Sequence, residues 1–356
     1  MPRYPLPESA MDRRTLLKSL QSGLVASAAS VVLPSHVFAA DKKDKRPIAL
    51  LLPLTGPRAR LGLSMRQAAL LAENSAYVQS FDTAGAAAGA ASAAAQALKL
   101  KPALILGPLS AEEVPAVSST IAGRVPVIAF SNDSVLRAPG TWIFGITAGQ
   151  VTTAILRYAR TRGVKTVTMI DDGSPWSAAA AIAAGKSEGE IGITVRLLQV
   201  KPGQPLPNPG EAPDAVLLPG SGEAVLAAAR ALKDTGVQLL GTFQALDNRP
   251  AALAALDGAW LASPDPNAFG TFASAFQARN GGEAGMIAAL TYDAAGIANT
   301  LRADNRLNLD GLLDAKGFHG VTGPVRFRTD GSVARDFAIL VAGETGYTPV
   351  ATSSGS

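Results

Sequence analysis

The sequence has 356 residues, a formal net charge of +4 and no cysteine. The lack of cysteine excludes disulfide bonds and thiolate metal sites, and the small net charge gives no basis for nucleic-acid binding. The length is sufficient for two domains, each with a substantial hydrophobic core.

The first 40 residues have the parts of a secretory signal in the right order: a basic stretch, a weakly apolar stretch and a small-residue cleavage site. The run RRTLLK, headed by Arg13 and Arg14, resembles a twin-arginine signal, although Asp12 stands where Ser or Thr is usual. The alternative is an ordinary secretory signal that contains two arginines. Either signal predicts export to the periplasm, and without a cysteine to carry lipid we expect a soluble protein that is not a lipoprotein.

The remaining chain alternates short apolar runs with Ala-rich amphipathic stretches, which favours an α/β fold with parallel sheets covered on both faces. Strands are predicted at 48–52, 103–106, 125–129, 142–145, 166–170, 194–200, 215–218, 239–242 and 260–262. Helices are predicted near 63–76, 90–98, 111–122, 150–162, 177–185, 222–235, 268–280 and 288–302. The tail 351–356 is predicted to lack regular structure.

Polar residues recur in the loops that follow these strands. Ser110 follows the strand 103–106, and Ser131 and Asn132 follow 125–129. Each of them is also a common kind of helix N-cap. Ligands of open parallel sheets bind at the carboxyl ends of the strands, where hydroxyl and backbone N–H groups together form an anion site. A small molecule with a carboxylate would suit such a site.

Four segments resemble the extracytoplasmic solute-binding proteins of the leucine/isoleucine/valine-binding type, which have the type I periplasmic binding fold. They are IALLLPLTGPRARLG, GPLSAEEVPAVSSTIAGRVPVIAFSND, LTYDAAGIANTL and FHGVTGPVRFRTDGSVARDFAIL. The segments occur in the family's order and together span almost the whole chain after the first 40 residues. The resemblance implies two Rossmann-like lobes with parallel sheets, joined by three crossover hinge segments that let the lobes close on a ligand.

The resemblance also gives the limits of the two lobes. The crossings are expected near Ile146, Pro264 and Thr322. They place 47–146 and 264–321 in the first lobe, and 147–263 and 323–350 in the second.

Carried over by motif position, the resemblance implies the ligand contacts. Ser110, Ser131 and Asn132 would hold a carboxylate, and Thr55 and Gly56 would line the same wall. On the second lobe, the candidate ammonium acceptors are Asp171, Asp172 and Asp247. Trp176 is a candidate to cover the apolar part of a ligand. The alternatives are that the aspartates belong to ordinary turns and that the tryptophan packs in the protein interior. Arg58 departs from the aromatic or aliphatic residue frequent there, which favours a more acidic or bulkier ligand.

Two functions fit these residues. The first is a binding protein that delivers an amino acid or related small solute to the permease of an ABC importer. The second is a regulatory module that contacts a cell-wall synthase, because GPLSAEEV and AFSND also resemble penicillin-binding-protein activators of the same fold. An enzyme is not expected, since neither histidine, His36 or His319, is paired with a plausible nucleophile and no phosphate loop occurs. No cofactor or metal site is predicted.

Overall fold

The structure is a computed structural model that describes residues 44–201, 203–207 and 211–355. The predicted signal at 1–40 lies outside this range. The strands are β1 Ile48–Leu52, β2 Val78–Asp82, β3 Leu104–Leu106, β4 Val127–Ala129, β5 Thr141–Ile143, β6 Thr166–Asp171, β7 Thr194–Gln199, β8 Ala215–Leu218, β9 Gln238–Thr242, β10 Trp260–Ser263, β11 Phe318–Gly320, β12 Gly323–Phe327, β13 Val333–Gly343 and β14 Gly346–Ser354. The helices are α1 Ala59–Ala72, α2 Ala87–Lys99, α3 Val114–Ile121, α4 Ala148–Thr161, α5 Pro175–Ile191, α6 Glu223–Leu232, α7 Pro250–Leu256, α8 Pro266–Asn280, α9 Met286–Ala303 and α10 Leu309–Leu312.

The first sheet has five parallel strands in the order β2-β1-β3-β4-β5. Successive side chains of β1 point to opposite faces, so Leu50 packs in the core that contains Met65 of α1, whereas Leu51 packs with Ala94 of α2. Both faces are therefore covered by helices, which explains why every residue of β1 is buried and apolar.

The second sheet has nine strands and is mixed. β7, β6, β8, β9 and β10 are parallel, and β13 adds to β10 in the antiparallel direction. β11, β12 and β14 extend it through further antiparallel pairs. The α/β prediction with two parallel-sheet lobes is thus confirmed, and the closing segment adds an antiparallel part to the second sheet.

The chain passes between the two sheets after β5, after β10 and before β11. The second passage returns it to the first sheet, because Phe272 and Phe276 of α8 pack with Ala68 of α1. The two sheets therefore share three connections, which is the arrangement that the resemblance implies.

Several predicted elements differ from the structure. β2 and α7 were not predicted, and α1 begins four residues earlier than the predicted helix 63–76. The prediction for the tail was wrong: β14 pairs with β13 as far as Ser354, and the amide of Gly355 donates to the carbonyl of Arg335 at 2.9 Å. None of the helices in the described ranges is long and apolar enough to cross a membrane.

Candidate functional site

The carboxyl edge of the first sheet carries six of the predicted site residues. They are Thr55, Gly56, Arg58, Ser110, Ser131 and Asn132. β1, β3 and β4 are neighbours in the sheet, so the loops that follow them meet at one edge. The amide of Phe130 donates to the carbonyl of Pro108 at 2.8 Å, which joins the loop after β4 to the loop after β3.

Asp82, at the end of β2, holds the loop after β1. Its carboxylate accepts the amides of Leu54 and Ala84 at 2.8 Å, the amide of Thr55 at 3.2 Å and the hydroxyl of Thr55 at 2.6 Å. Burial opposes ionisation of Asp82, but these hydrogen bonds outweigh it and hold the pKa of the carboxyl below its ordinary value. The hydroxyl of Thr55, predicted to line the ligand wall, is therefore bound by the protein's own carboxylate.

Ser110 is likewise engaged within the chain. It caps the turn that leads into α3: its hydroxyl and its amide, the latter at 2.8 Å, both donate to the Glu113 carboxylate. Glu113 is fully buried, and its second oxygen, Oε1, has no hydrogen-bond partner in the described part of the chain. The capping alternative for Ser110 is thus what the structure shows, and a role in ligand binding stays a prediction.

Arg58 reaches across the edge to the loop after β3. Its Nη1 lies 2.9 Å from Glu112 Oε1, and the two side chains are 46% and 59% exposed. An ion pair with this exposure contributes at most about 1 kcal/mol. Arg58 can therefore exchange Glu112 for another carboxylate at small cost.

Ser131 and Asn132 retain donors that the protein does not use. The Ser131 hydroxyl oxygen accepts the amide of Asp133 at 3.1 Å, which leaves its proton to donate. The side chain of Asn132 is exposed and has no hydrogen bond to any residue that the structure describes. Ser131 also marks a close approach, because a Cβ on Gly145 would lie 2.3 Å from its carbonyl oxygen.

The carboxyl edge of the second sheet carries an aromatic pair. The indole of Trp176 and the ring of Phe243 lie 5.7 Å apart in an edge-to-face arrangement. The carbonyl of Pro219 accepts from Trp176 Nε1 at 2.8 Å and from the hydroxyl of Thr242 at 2.6 Å. The loops after β6, β8 and β9 are thus fastened together, and both rings remain partly exposed.

The acidic candidates on this edge differ in how many of their carboxylate oxygens accept hydrogen bonds from the protein. Asp171 accepts the Gly173 amide at 3.0 Å and the Ser177 hydroxyl at 2.9 Å, both through Oδ1. Asp247 uses both oxygens to bind Arg249, at 2.5 to 3.0 Å. The hydrogen bonds from Arg249 hold the pKa of Asp247 below its usual value. Asp171 Oδ2 is therefore the freer acceptor.

A cavity of about 80 Å³ lies beside Asp247, between the loops after β8 and β9. Its lining includes Ser221, Gly222, Gln244 and Leu246. It is smaller than a typical site for a drug-sized molecule, which has several hundred Å³. The cavity can hold one small group of a ligand.

Sequence reasoning missed four residues that shape these edges: Asp82, Glu112, Glu113 and Phe243. A sequence signal existed for Glu113 alone, because Ser110 followed three residues later by Glu is the capping-box pattern. Asp82 and Phe243 act on residues distant in sequence, on Thr55 and Trp176, and only the folded chain brings them together.

Comparisons with known proteins give one consistent result. The family described as periplasmic binding protein matches residues 46–346. No match was found among curated proteins. A putative branched-chain amino acid ABC transporter structure from Rhodospirillum rubrum has a TM-score of 0.74 and 21% identity, and the alignment covers 86% of this chain and all of that one.

Ligand complexes are among the similar structures. The solute binding protein of an ABC transporter from R. palustris, in complex with benzoate, has a TM-score of 0.58 and 17% identity, with 88% of this chain and 97% of that chain covered. The branched-chain amino acid transporter substrate binding protein of Streptococcus pneumoniae, in complex with isoleucine, has a TM-score of 0.55 and 18% identity, with 87% and 99% covered. At these identities the likeness is one of fold, and the family match covers most of the chain. The chain belongs to the periplasmic binding protein family.

Proposed function

We propose that this protein is an extracytoplasmic solute-binding protein that captures an amino acid or a related small carboxylate between its two lobes and delivers it to the permease of an ABC importer. The observation that carries the proposal is that the candidate residues gather at the carboxyl edges of two neighbouring sheets connected by three passages. The lobes would comprise 47–146 with 264–321, and 147–263 with 323–350. Isoleucine and benzoate, the ligands of two similar structures, both carry a carboxylate.

On the first lobe, the ligand carboxylate would lie against Ser131, Asn132 and Arg58. The hydroxyl of Ser131 and the amide of Asn132 supply donors, and Arg58 supplies charge once it leaves Glu112. Thr55 and Gly56 would shape the wall without donating, because Asp82 binds the Thr55 hydroxyl. Ser110 would act by holding the turn before α3.

On the second lobe, Trp176 and Phe243 would cover the apolar part of the ligand and Asp171 would accept an ammonium group. The partly exposed aromatic pair offers an apolar surface that would exclude water from the ligand, and its rings are rigid. Asp247 would help to shape the wall, because Arg249 neutralises it. Nothing in this arrangement requires a metal or a cofactor, and the proposed activity is binding rather than catalysis.

A ligand screen tests the proposal. Purified protein would be tested by thermal shift against amino acids, benzoates and other small carboxylates; a ligand at 100 times its Kd stabilises the protein by about 2.7 kcal/mol. Ser131→Ala should weaken the ligand found by about 1–3 kcal/mol, because a buried partner is left without its donor. Ser119→Ala, on the exposed face of α3, is the matched control and should leave the affinity unchanged.

Two outcomes would overturn the proposal. If no small carboxylate or amino acid shifts the melting temperature and the protein instead captures a purified cell-wall synthase, the regulatory alternative replaces transport. If a ligand binds but Ser131→Ala and Ser119→Ala affect its affinity equally, the ligand does not bind at the first-sheet edge.

The periplasmic location is part of the same proposal. It rests on the run RRTLLK and on the small residues near position 40. Replacing both Arg13 and Arg14 by Lys should abolish export if the signal is of the twin-arginine type. Export that persists in this variant would favour the ordinary secretory signal.

A further inference from the structure

Arg335 joins the second sheet to the segment that leaves the first sheet. It lies on β13, its side chain is buried, and its guanidinium stacks 4.9 Å from the centre of the Phe144 ring. Nη2 donates to the carbonyl of Phe144 at 2.9 Å, and Nη1 donates to the Thr322 hydroxyl at 2.7 Å. Phe144 directly follows β5, and Thr322 lies in the turn between β11 and β12. One arginine of the second sheet therefore binds the first connecting segment and the turn that follows the third passage.

Asp293 reaches the same point from the other side. It lies on α9, which packs against α1 and β3 of the first sheet. Its carboxylate accepts the amides of Val321 and Thr322 at 2.8 Å and the hydroxyl of Thr322 at 2.5 Å. The hydroxyl of Thr322 therefore donates to Asp293 and accepts from Arg335, and it forms the bridge between an acid of the first lobe and a base of the second.

Two glycines make this approach sterically feasible. A Cβ on Gly320 would lie 2.3 Å from the carboxyl carbon of Asp293, so a larger residue would displace the carboxylate. Gly145 follows Phe144 and packs against the carbonyl of Ser131. Phe144, which binds Arg335, is thus next in sequence to a residue that packs against the first-sheet edge carrying the candidate ligand donors.

Because Arg335 and Asp293 are buried, their charges are stabilised by hydrogen bonds within the cluster and not by water. Burial lowers the pKa of Arg335 to about 10 and raises the pKa of Asp293, because each charge is withdrawn from water. Nε of Arg335 has no partner in the described residues. Arg335 is a buried charge that already has one unpaired donor, so losing a further hydrogen bond would be costly. The positions of Phe144, Thr322 and Asp293 around it are therefore tightly constrained.

We propose that Arg335, Thr322 and Asp293 form a hinge latch that ties the segment after β5 and the turn between β11 and β12 to α9, and sets how far the lobes can open. Their role is positioning rather than ligand contact. Since the latch bonds hold Phe144 and Thr322 at one point, the lobes can rotate about this point, but they cannot separate there without breaking buried hydrogen bonds. The inference depends on lobes that move and not on which solute they bind.

The distance between the lobes in the ligand-free protein tests the latch. Because the chain has no cysteine, Lys99→Cys on α2 and Ala227→Cys on α6 would be its two spin-labelling sites. Thr322→Val removes the bridging hydroxyl and keeps the shape. We expect a broader distance distribution by double electron–electron resonance, and exchange of the Val321 and Thr322 amides about tenfold faster.

Two matched variants control for non-specific effects. Thr152→Val replaces another fully buried threonine, whose hydroxyl has no partner among the described residues, and should leave the distribution unchanged. Thr322→Ser keeps the hydroxyl and should restore the wild-type distribution. If Thr322→Val does not fold, Asp293→Asn provides the same comparison against Thr322→Ser.

Two results would overturn the proposal. If Thr322→Val is folded and exchanges faster at Val321 and Thr322 but keeps the wild-type distance distribution, the cluster is a local structural network and not a latch. If Thr152→Val broadens the distribution as much as Thr322→Val, the effect belongs to the core in general. Both readouts are obtained without ligand, so they are independent of the outcome of the ligand screen.

Discussion

The two sheet edges are built in different ways. On the first edge, carboxylates of the protein bind the loop donors: Asp82 holds the loop after β1, and Glu113 holds Ser110. On the second edge, the loops are fastened through the carbonyl of Pro219, and the exposed features are an aromatic pair and a cavity. The first edge is therefore polar and internally braced, whereas the second offers apolar surface.

This difference indicates how a ligand would be recognised. Because most hydroxyls of the first edge are occupied, specificity for a carboxylate would depend on the few groups left, Ser131, Asn132 and Arg58. The second edge would contribute through apolar contact and a single acid, Asp171. Each edge can therefore be altered separately by substitution.

Loss of the aromatic pair should have the largest effect. Trp176→Ala removes the contact with Phe243 and the hydrogen bond to Pro219, and it should lower the free energy of unfolding by about 3 kcal/mol or more. Trp176→Phe keeps a ring and should recover about half of this loss. Chemical denaturation measures both; equal stability of the two variants would mean that the ring does not contribute.

The acids of the second edge should differ in their effect on an ammonium ligand. Asp171→Asn should weaken binding by about 1–3 kcal/mol, because the ammonium group loses a charged partner. Asp247→Asn should change the affinity little, because Arg249 already binds both carboxylate oxygens. Titration calorimetry would compare them, and the reverse order would assign the ammonium site to the cavity beside Asp247.

The two partners of the exposed ion pair on the first edge should affect carboxylate binding in opposite directions. Glu112→Gln frees Arg58 from competition and should strengthen binding of a small carboxylate by about 0.5 kcal/mol, whereas Arg58→Ala should weaken it. The gain should shrink at high salt, because exposed charges are screened. Weaker binding to Glu112→Gln would show that the glutamate itself contacts the ligand.

The smallest effect concerns acid stability. The pKa of Asp82 is lowered in the folded protein, so the unfolded chain takes up the proton first as the pH falls. The contribution of Asp82 is then fully present above its ordinary value of 3.8 and is lost below it. The difference in melting temperature between wild type and Asp82→Asn should therefore decrease as the pH falls through this region. A constant difference would contradict the role given to this carboxylate.

The sequence predicts the buried parallel strands well, because short unbroken apolar runs such as IALLL are typical of parallel strands that are covered on both faces. β2 was missed since VQSFD lies at the edge of the first sheet, is half exposed and lacks such a run. The tail was mistaken for the same reason: polar residues of β14 are ordered by pairing with β13, which composition does not reveal.

The candidate site was predictable in position but not in detail. Strand ends locate Ser131 and Asp171 correctly at sheet edges, because parallel topology alone determines that placement. Which donors remain free depends on contacts between residues far apart in sequence, such as Thr55 with Asp82 and Arg58 with Glu112. These contacts follow from the packing of loops and have no local pattern.

In the proposed function, the two edges close on one small solute. Small-angle X-ray scattering of the full protein, with and without a saturating ligand from the screen, tests it most directly. We expect the radius of gyration to decrease on ligand addition, and to decrease less for Trp176→Ala at saturation. A ligand that saturates the protein and leaves its radius of gyration unchanged would show that the lobes do not close on it.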